Sequence, residues 1–222
     1  MLANNVANAT TGGYKSDREF YSLYVSPEAD SQPNATMPVI ARPWTDFSQG
    51  LLRPTGNPLD LALQGQGFFS VNGPSGRLYT RNGSFRVAAN GSLVTTDGYA
   101  VRGAGGGAVT VAAGSPLEIS TDGTVRQDGN VIGQLEIADF TSTAGLAKQG
   151  GNYFQSARPP DRTGPPDTSV RQGQLEDSNA GAAEAAGRLI SVMRQFEMLQ
   201  KAVSLGAEMN QHAIQDVARV GQ

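Results

Sequence analysis

Six Asn-Gly or Asp-Gly steps punctuate the middle of this chain, at Asn72-Gly73, Asn82-Gly83, Asn90-Gly91, Asp97-Gly98, Asp122-Gly123 and Asp128-Gly129. These dipeptides tolerate the positive φ that tight hairpin turns demand, so each predicts a chain reversal. Between them the apolar residues tend to alternate: Leu78 and Thr80 oppose Tyr79 and Arg81, and Phe85 and Val87 oppose Ser84 and Arg86. A period of two describes strands with one buried face. Thr124–Gln127 and the run Val131–Phe140 continue the pattern to about Tyr153-Phe154. The spacing predicts an antiparallel β domain of short hairpin strands over residues 55–155.

Composition bounds what can surround that domain. The chain has 222 residues with 28 Gly, 7% aromatic and 38% hydrophobic residues, which suits one small core with appendages better than two domains. A net charge of −3 with scattered Lys and Arg leaves no basic patch, which disfavours nucleic acid and anionic membrane surfaces as partners. No run of 18 apolar residues exists and Met1-Leu2 leads straight into Ala3-Asn4-Asn5, which predicts no membrane insertion and no ordinary cleaved secretory signal. The absence of Cys removes disulfides and thiolate metal sites and leaves the redox compartment open.

The ends read differently from the middle. Residues 179–222 form a predicted C-terminal helix, free of proline to Val220, with Ser178 or Asn179 and Glu184 as start signals. Its apolar residues keep a heptad through Leu189, Phe196, Val203 and Val217, with Val192, Leu199, Ala213 and Val220 beside them. Met193, Ala207 and Ile214 widen this amphipathic stripe, and Gly206 and Asn210 interrupt it. About 40 helical residues span on the order of 60 Å, against about 30–35 Å for a β domain of about 120 residues. Much of the helix therefore overhangs, and its stripe calls for a partner in another molecule. Residues 156–178, with Pro159-Pro160 and Pro165-Pro166, read as an exposed connector returning to the helix. Residues 1–54 read as an N-terminal arm and extended connector. Tyr14–Val25 suits a short helix or an extended arm, and five prolines follow around Trp44.

Little in the chain suggests catalysis. His212 is the sole histidine, and Glu208 and Asp216, four residues away on either side, mark a solvated helix face more readily than a metal site. Glu118, Asp122 and Asp128 resemble a carboxylate set, yet two of them sit in Asp-Gly turns that explain them. Gly103–Gly107 precedes a β-prone run and no helix N-terminus, which argues for a turn over a phosphate loop. No catalytic residue, cofactor or metal site is expected.

Ala3-Asn4-Asn5-Val6-Ala7-Asn8, followed by Thr10-Thr11-Gly12-Gly13-Tyr14-Lys15, resembles the rod signature of the axial proteins of the bacterial flagellum. The central signature of the same rod and hook family is matched through Gly56, Asn57, Pro58, Leu59, Asp60, Gly65, Gly67, Phe68, Phe69, Arg81, Gly83, Phe85 and Gly91. Gly173–Asn179, leading into the heptad helix, completes the resemblance. The pattern is nearest the proximal-rod members, with distal-rod or hook-type subunits as the alternative. The resemblance implies a structural subunit that is no enzyme, is exported unfolded by the flagellar type III apparatus, and stacks helically into a periplasmic, torque-transmitting rod. Its implied partners are further copies, other rod subunits and basal-body components. The expected subunit interface is Leu189, Val192, Met193, Phe196, Leu199, Val203, Ile214, Val217 and Val220, together with Asn4, Asn5 and Asn8. Family members carry a further helix before the Ala-Asn-Asn signature, and a late start at Met1 is the expectation here. An adhesin or carbohydrate-binding β module is the competing class. It would need an exposed aromatic platform, whereas Phe68, Phe69 and Phe85 alternate as core residues do.

Overall fold

The computed structural model describes the backbone of residues 1–25, 36–112, 114–163 and 168–220, and the side chains of 1–19, 44–112, 114–161 and 168–209. A short helix α1 (Leu2–Ala7) opens the chain. Strands β1 (Asp17–Val25) and β2 (Thr36–Thr45) then pair antiparallel, from Asp17 opposite Thr45 to Val25 opposite Thr36, so the segment that suited helix or arm is a strand. The β body follows. It comprises β3 (Leu52–Pro54), β4 (Leu61–Gln64), β5 (Phe68–Gly73), β6 (Gly76–Thr80), β7 (Phe85–Val87), β8 (Leu93–Thr95), β9 (Ala100–Val101), β10 (Leu117–Ile119), β11 (Thr124–Gln127) and β12 (Asn130–Gln134). It continues through β13 (Ile137–Asp139), β14 (Leu146–Lys148), β15 (Tyr153–Ser156), β16 (Arg162–Thr163), β17 (Ser169–Gln172) and β18 (Gln174–Glu176) before the long helix α2 (Ala182–Val220).

The main sheet runs β14-β15-β6-β5-β9-β8-β7. β13 shares one edge of β5 with β9 and pairs onward with β16. A second sheet has the order β10-β11-β12. Every pairing is antiparallel, as the hairpin code predicts. Four of the six steps turn the chain: Gly91, Gly98 and Gly123 have φ of 80°, 87° and 82°, and Asp128-Gly129 has 50° and 79°.

The other two steps do not. β5 runs through Asn72-Gly73, and the reversal falls on Pro74-Ser75 ahead of Gly76 at φ 121°. Asn82-Gly83 carries the chain from β6 to β7, on the far edge of the sheet. There Leu61 N donates to Gly83 O at 3.0 Å, and a Cβ on Gly83 would strike the Leu61 carbonyl. Its glycine serves close backbone approach, not a turn.

The main sheet is buried on both faces, where alternation predicts one. Phe69, Val71 and Leu78 join Leu61, Leu63, Phe85, Leu93, Val101, Val125, Leu135, Ile137 and Val170 in the larger core. Phe68 and Tyr79, one residue out of step, join Ala138, Phe140 and Phe154 in a second cluster that Phe47 of the N-terminal crossing helps to cover. Its rings meet edge-on or tilted, Tyr79 to Phe140 at 4.9 Å and Phe47 to Phe154 at 5.1 Å between centroids. Residues 156–178 also depart from the expected solvent-exposed connector. β17 pairs with β4 and β18 with β3, and Val170 is 1% exposed, because backbone pairing and one well-placed apolar side chain outweigh a polar composition.

Candidate functional site

The two ends of the chain meet on the β body in a cluster of buried charges. Lys15, Arg81 and Glu176 are 0%, 3% and 1% exposed. Lys15 Nζ lies 2.6 Å from Glu176 Oε1, and Arg81 Nη1 lies 3.2 Å from Glu176 Oε2. Further polar atoms of the cluster pair locally: Gly50 N donates to Glu176 Oε1 at 2.9 Å, Lys15 Nζ to Ser48 O at 2.6 Å, and Arg81 Nη2 to Gly65 O at 2.7 Å. Burial pushes Lys15 and Arg81 below their ordinary pKa, and Glu176 pulls each back toward the charged form.

Asparagines extend the cluster toward both helices. Asn179 Oδ1 accepts from Ser16 N at 2.7 Å while its Nδ2 donates to Asp46 O at 2.7 Å and Ser48 O at 3.1 Å. That work explains Asn179 better than a capping role, since α2 starts later, at Ala182. Asn5 is 7% exposed; its Oδ1 accepts from Tyr14 Oη at 3.1 Å and Asp17 N at 3.0 Å, and its Nδ2 donates to Asp17 O at 2.8 Å. Burial, then the nearby Asp17 carboxylate, pushes the Tyr14 phenol up to about 12. Lys148 Nζ reaches Asp17 Oδ1 at 2.7 Å and sits 4.5 Å from the Tyr14 ring centroid.

These contacts show what the sequence motifs do. Gly13-Tyr14-Lys15, Arg81-Asn82-Gly83 and Glu176–Asn179 are brought together: Gly13 N donates to Glu176 O at 2.6 Å, and a Cβ on Gly13, at φ 68°, would collide with Asn82 N. Asn57 turns the chain into β4, its Oδ1 accepting from Leu59 N at 3.2 Å and its Nδ2 donating to Asp60 Oδ1 at 3.1 Å. Gly67, at φ 111°, leaves only 3.2 Å between a would-be Cβ and Ile137 Cγ2. Of the candidate interface asparagines, Asn5 is used up internally, while Asn8 Nδ2 bonds Asn4 Oδ1 at 2.7 Å. Sequence reasoning missed Lys15 and Glu176 as a pair, for they lie 161 positions apart.

The second part of the site is α2. α1 lies against its first turns, where Ala185 is 7% exposed and Leu189 is half-buried. Beyond them the expected stripe stands in solvent: Val192, Met193, Phe196, Leu199 and Val203 are 48%, 57%, 61%, 65% and 73% exposed. The side chains of Ile214, Val217 and Val220, and of His212, lie outside the described residues. A second stripe escaped the heptad reading. Met198, Leu205 and Met209, spaced seven and four apart, are 62%, 58% and 66% exposed. At 3.6 residues per turn they fall on the side of the helix opposite Leu189 and Phe196. Arg194, Glu197, Lys201 and Glu208 lie in a charged row between the stripes. α2 is thus apolar on two opposite sides.

The candidate carboxylate Asp122 and the glycine run are engaged locally. Among the described residues no group of His, Cys, Asp and Glu is placed to hold a metal ion. Asp122 is spent on its own turn, accepting from Thr124 N at 3.0 Å and Thr124 Oγ1 at 2.8 Å. Within Gly103–Gly107, Gly103 N donates to Gly107 O and Gly106 N to Gly103 O, both at 2.8 Å, so the run is a closed turn. No helix among the described residues is long and apolar enough to cross a membrane.

Comparison with known proteins converges on the same ends and middle. Residues 62–132 match the model of the flagellar hook protein FlgE/F/G D1 domain, and residues 171–216 match that of the flagellar basal body rod FlgEFG protein C-terminal region. The chain is 31% identical to the flagellar basal-body rod protein FlgF of Caulobacter vibrioides, over 99% of this chain and 91% of that one. It is 31% identical to FlgF of Mesorhizobium japonicum, over 88% of this chain and 81% of the relative. Against the flagellar basal-body rod protein FlgG of Agrobacterium fabrum the identity is 32%, over 94% and 89%.

Proposed function

The chain belongs to the flagellar basal-body rod family, and we propose that it builds the proximal part of the rod, joining neighbouring subunits through the two apolar sides of α2. It is a structural subunit, and the proposed work is mechanical: copies stack helically, with α1 and α2 in the wall of an inner tube and the β body outside. Its neighbours on this reading are other rod subunits and basal-body components in the periplasm, and the chain travels there unfolded through the flagellar export apparatus.

The observation that carries the proposal is the pair of exposed stripes on a helix that overhangs its own domain. Covering Val192, Met193, Phe196, Leu199 and Val203 with a neighbouring helix is worth roughly 5–10 kcal/mol of gross burial per subunit. The adhesin alternative cannot draw a platform from Phe68, Phe69 and Phe85, which are 3%, 0% and 4% exposed.

The test is a strain whose copy lacks residues 187–222. It is expected to yield basal bodies without rods in electron micrographs and to be non-motile. Rods of normal length and swimming cells would overturn the proposal.

A further inference from the structure

A helix that leaves a folded body through one stretch of backbone swings unless something holds its exit. Here the exit is held at Glu176, the last residue of β18 and a few residues before α2. Its carboxylate takes donors from three separate segments: Lys15 from the N-terminal arm, Gly50 from the crossing before β3, and Arg81 from the end of β6. Asn179, still closer to the helix, takes Ser16 N on one atom and gives to Asp46 O and Ser48 O from the other. On the opposite end, Asn5 ties α1 to Tyr14 and Asp17 of the same arm. Both helices are thus referenced to one buried point of the β body.

Stability alone is a poor reason for such a point. A buried ion pair costs much of its attraction in desolvation, and well-packed apolar residues of similar volume stabilise as well or better. Apolar contact is also non-directional, whereas three donors on one carboxylate admit a single arrangement. We propose that Lys15, Arg81 and Glu176 are positioning residues that lock the direction in which α1 and α2 leave the β body. Resting on the rod reading above, the lock lets rotation pass from the helices to the body without slack at the joint.

The chain contains no cysteine, so two introduced cysteines label it uniquely. Glu118→Cys on β10 and Gly187→Cys in the first turns of α2, where α1 seats the helix, are both exposed and place spin labels on body and helix. Pulsed electron-electron resonance then reads the distance distribution in the isolated chain. Lys15→Met is the informative background: it removes one cation and leaves Arg81 and Glu176 paired. The otherwise unsubstituted labelled chain is expected to give one narrow distribution, and Lys15→Met one about twofold broader or more, with unchanged circular dichroism. A second background, Lys15→Met with Glu176→Gln, keeps the net charge of the cluster and is expected to broaden it likewise.

A folded variant with the parent width overturns the lock. Failure of both variants to fold also overturns it, because the cluster would then be a stability element of the body. Parent width in Lys15→Met removes the lock and leaves the rod assignment standing, whereas rods built without residues 187–222 remove the rod assembly model and leave the lock.

Discussion

Tyr14 shows how much work one signature residue does. It is 2% exposed, its hydroxyl donates to Asn5, and its backbone carbonyl accepts from Asn179 N at 3.2 Å. Burial and Asp17 raise its pKa from 10.0 to about 12, so between those values the folded state keeps a proton that the unfolded state has lost. The unfolded state then binds fewer protons, and stability falls as pH rises. Any contribution of the phenol is fully present below pH 10 and is lost toward pH 12. Tyr14→Phe forgoes the hydrogen bond, worth about 1 kcal/mol, and has no proton to lose. Urea midpoints of the two proteins are expected to differ most near neutrality and to converge from pH 10 upward. A constant gap through pH 11 would show that Tyr14 titrates normally. The motif around Tyr14 was recognisable in the sequence, but its physical role was not. Lys15 finds Glu176 across 161 positions, and Arg81 finds Glu176 across 95. No local period reports a contact of that separation.

At the scale of elements, α2 divides into a seated start and a free remainder. Phe196 lies in the free part at 61% exposure, so Phe196→Asp removes little burial from the isolated chain. Its effect on monomer stability is expected to stay within about 0.5 kcal/mol, as for surface substitutions generally. In the proposed assembly the same aspartate would enter a seam where an unpaired charge costs several kcal/mol. Far-UV melts of the purified variant should match the parent, while rods fail to form in cells. A melt lowered by 10 °C would place Phe196 in a contact within its own chain. The heptad was legible because helix periodicity is local. The stripe of Met198, Leu205 and Met209 was equally present in the spacing, yet a single-seam reading overlooked it. Strand existence was legible too, whereas burial of both faces of β5 and β6 was not, since Phe47 and Phe140 arrive from distant segments to cover the second face.

For the whole molecule, the proposed use of α2 separates folding from assembly. The β body contains both hydrophobic clusters, and the return leg through β17 and β18 closes it before α2 begins. Among the described residues, nothing beyond Leu189 on α2 is buried. A chain cut after residue 190 therefore keeps the body, α1, the seated start of α2 and the charge cluster, and loses only the part of the helix that frays when unpartnered. Its thermal midpoint by near-UV circular dichroism is expected within about 3 °C of the full chain, because the loss of exposed helix costs the body less than about 1 kcal/mol. Hydrogen exchange gives the complementary measurement on the intact monomer: slow exchange in β4, β5 and β13, and fast exchange along α2 beyond its first turns. A truncated body that melts far below the parent, or a monomeric helix as protected as the core strands, would mean that α2 folds against its own chain. The apolar stripes would then be partly spent before any neighbour arrives. If both measurements fall as expected, the energy that holds one subunit together and the energy that joins it to the next reside in different residues. Each can then be altered by substitution without disturbing the other.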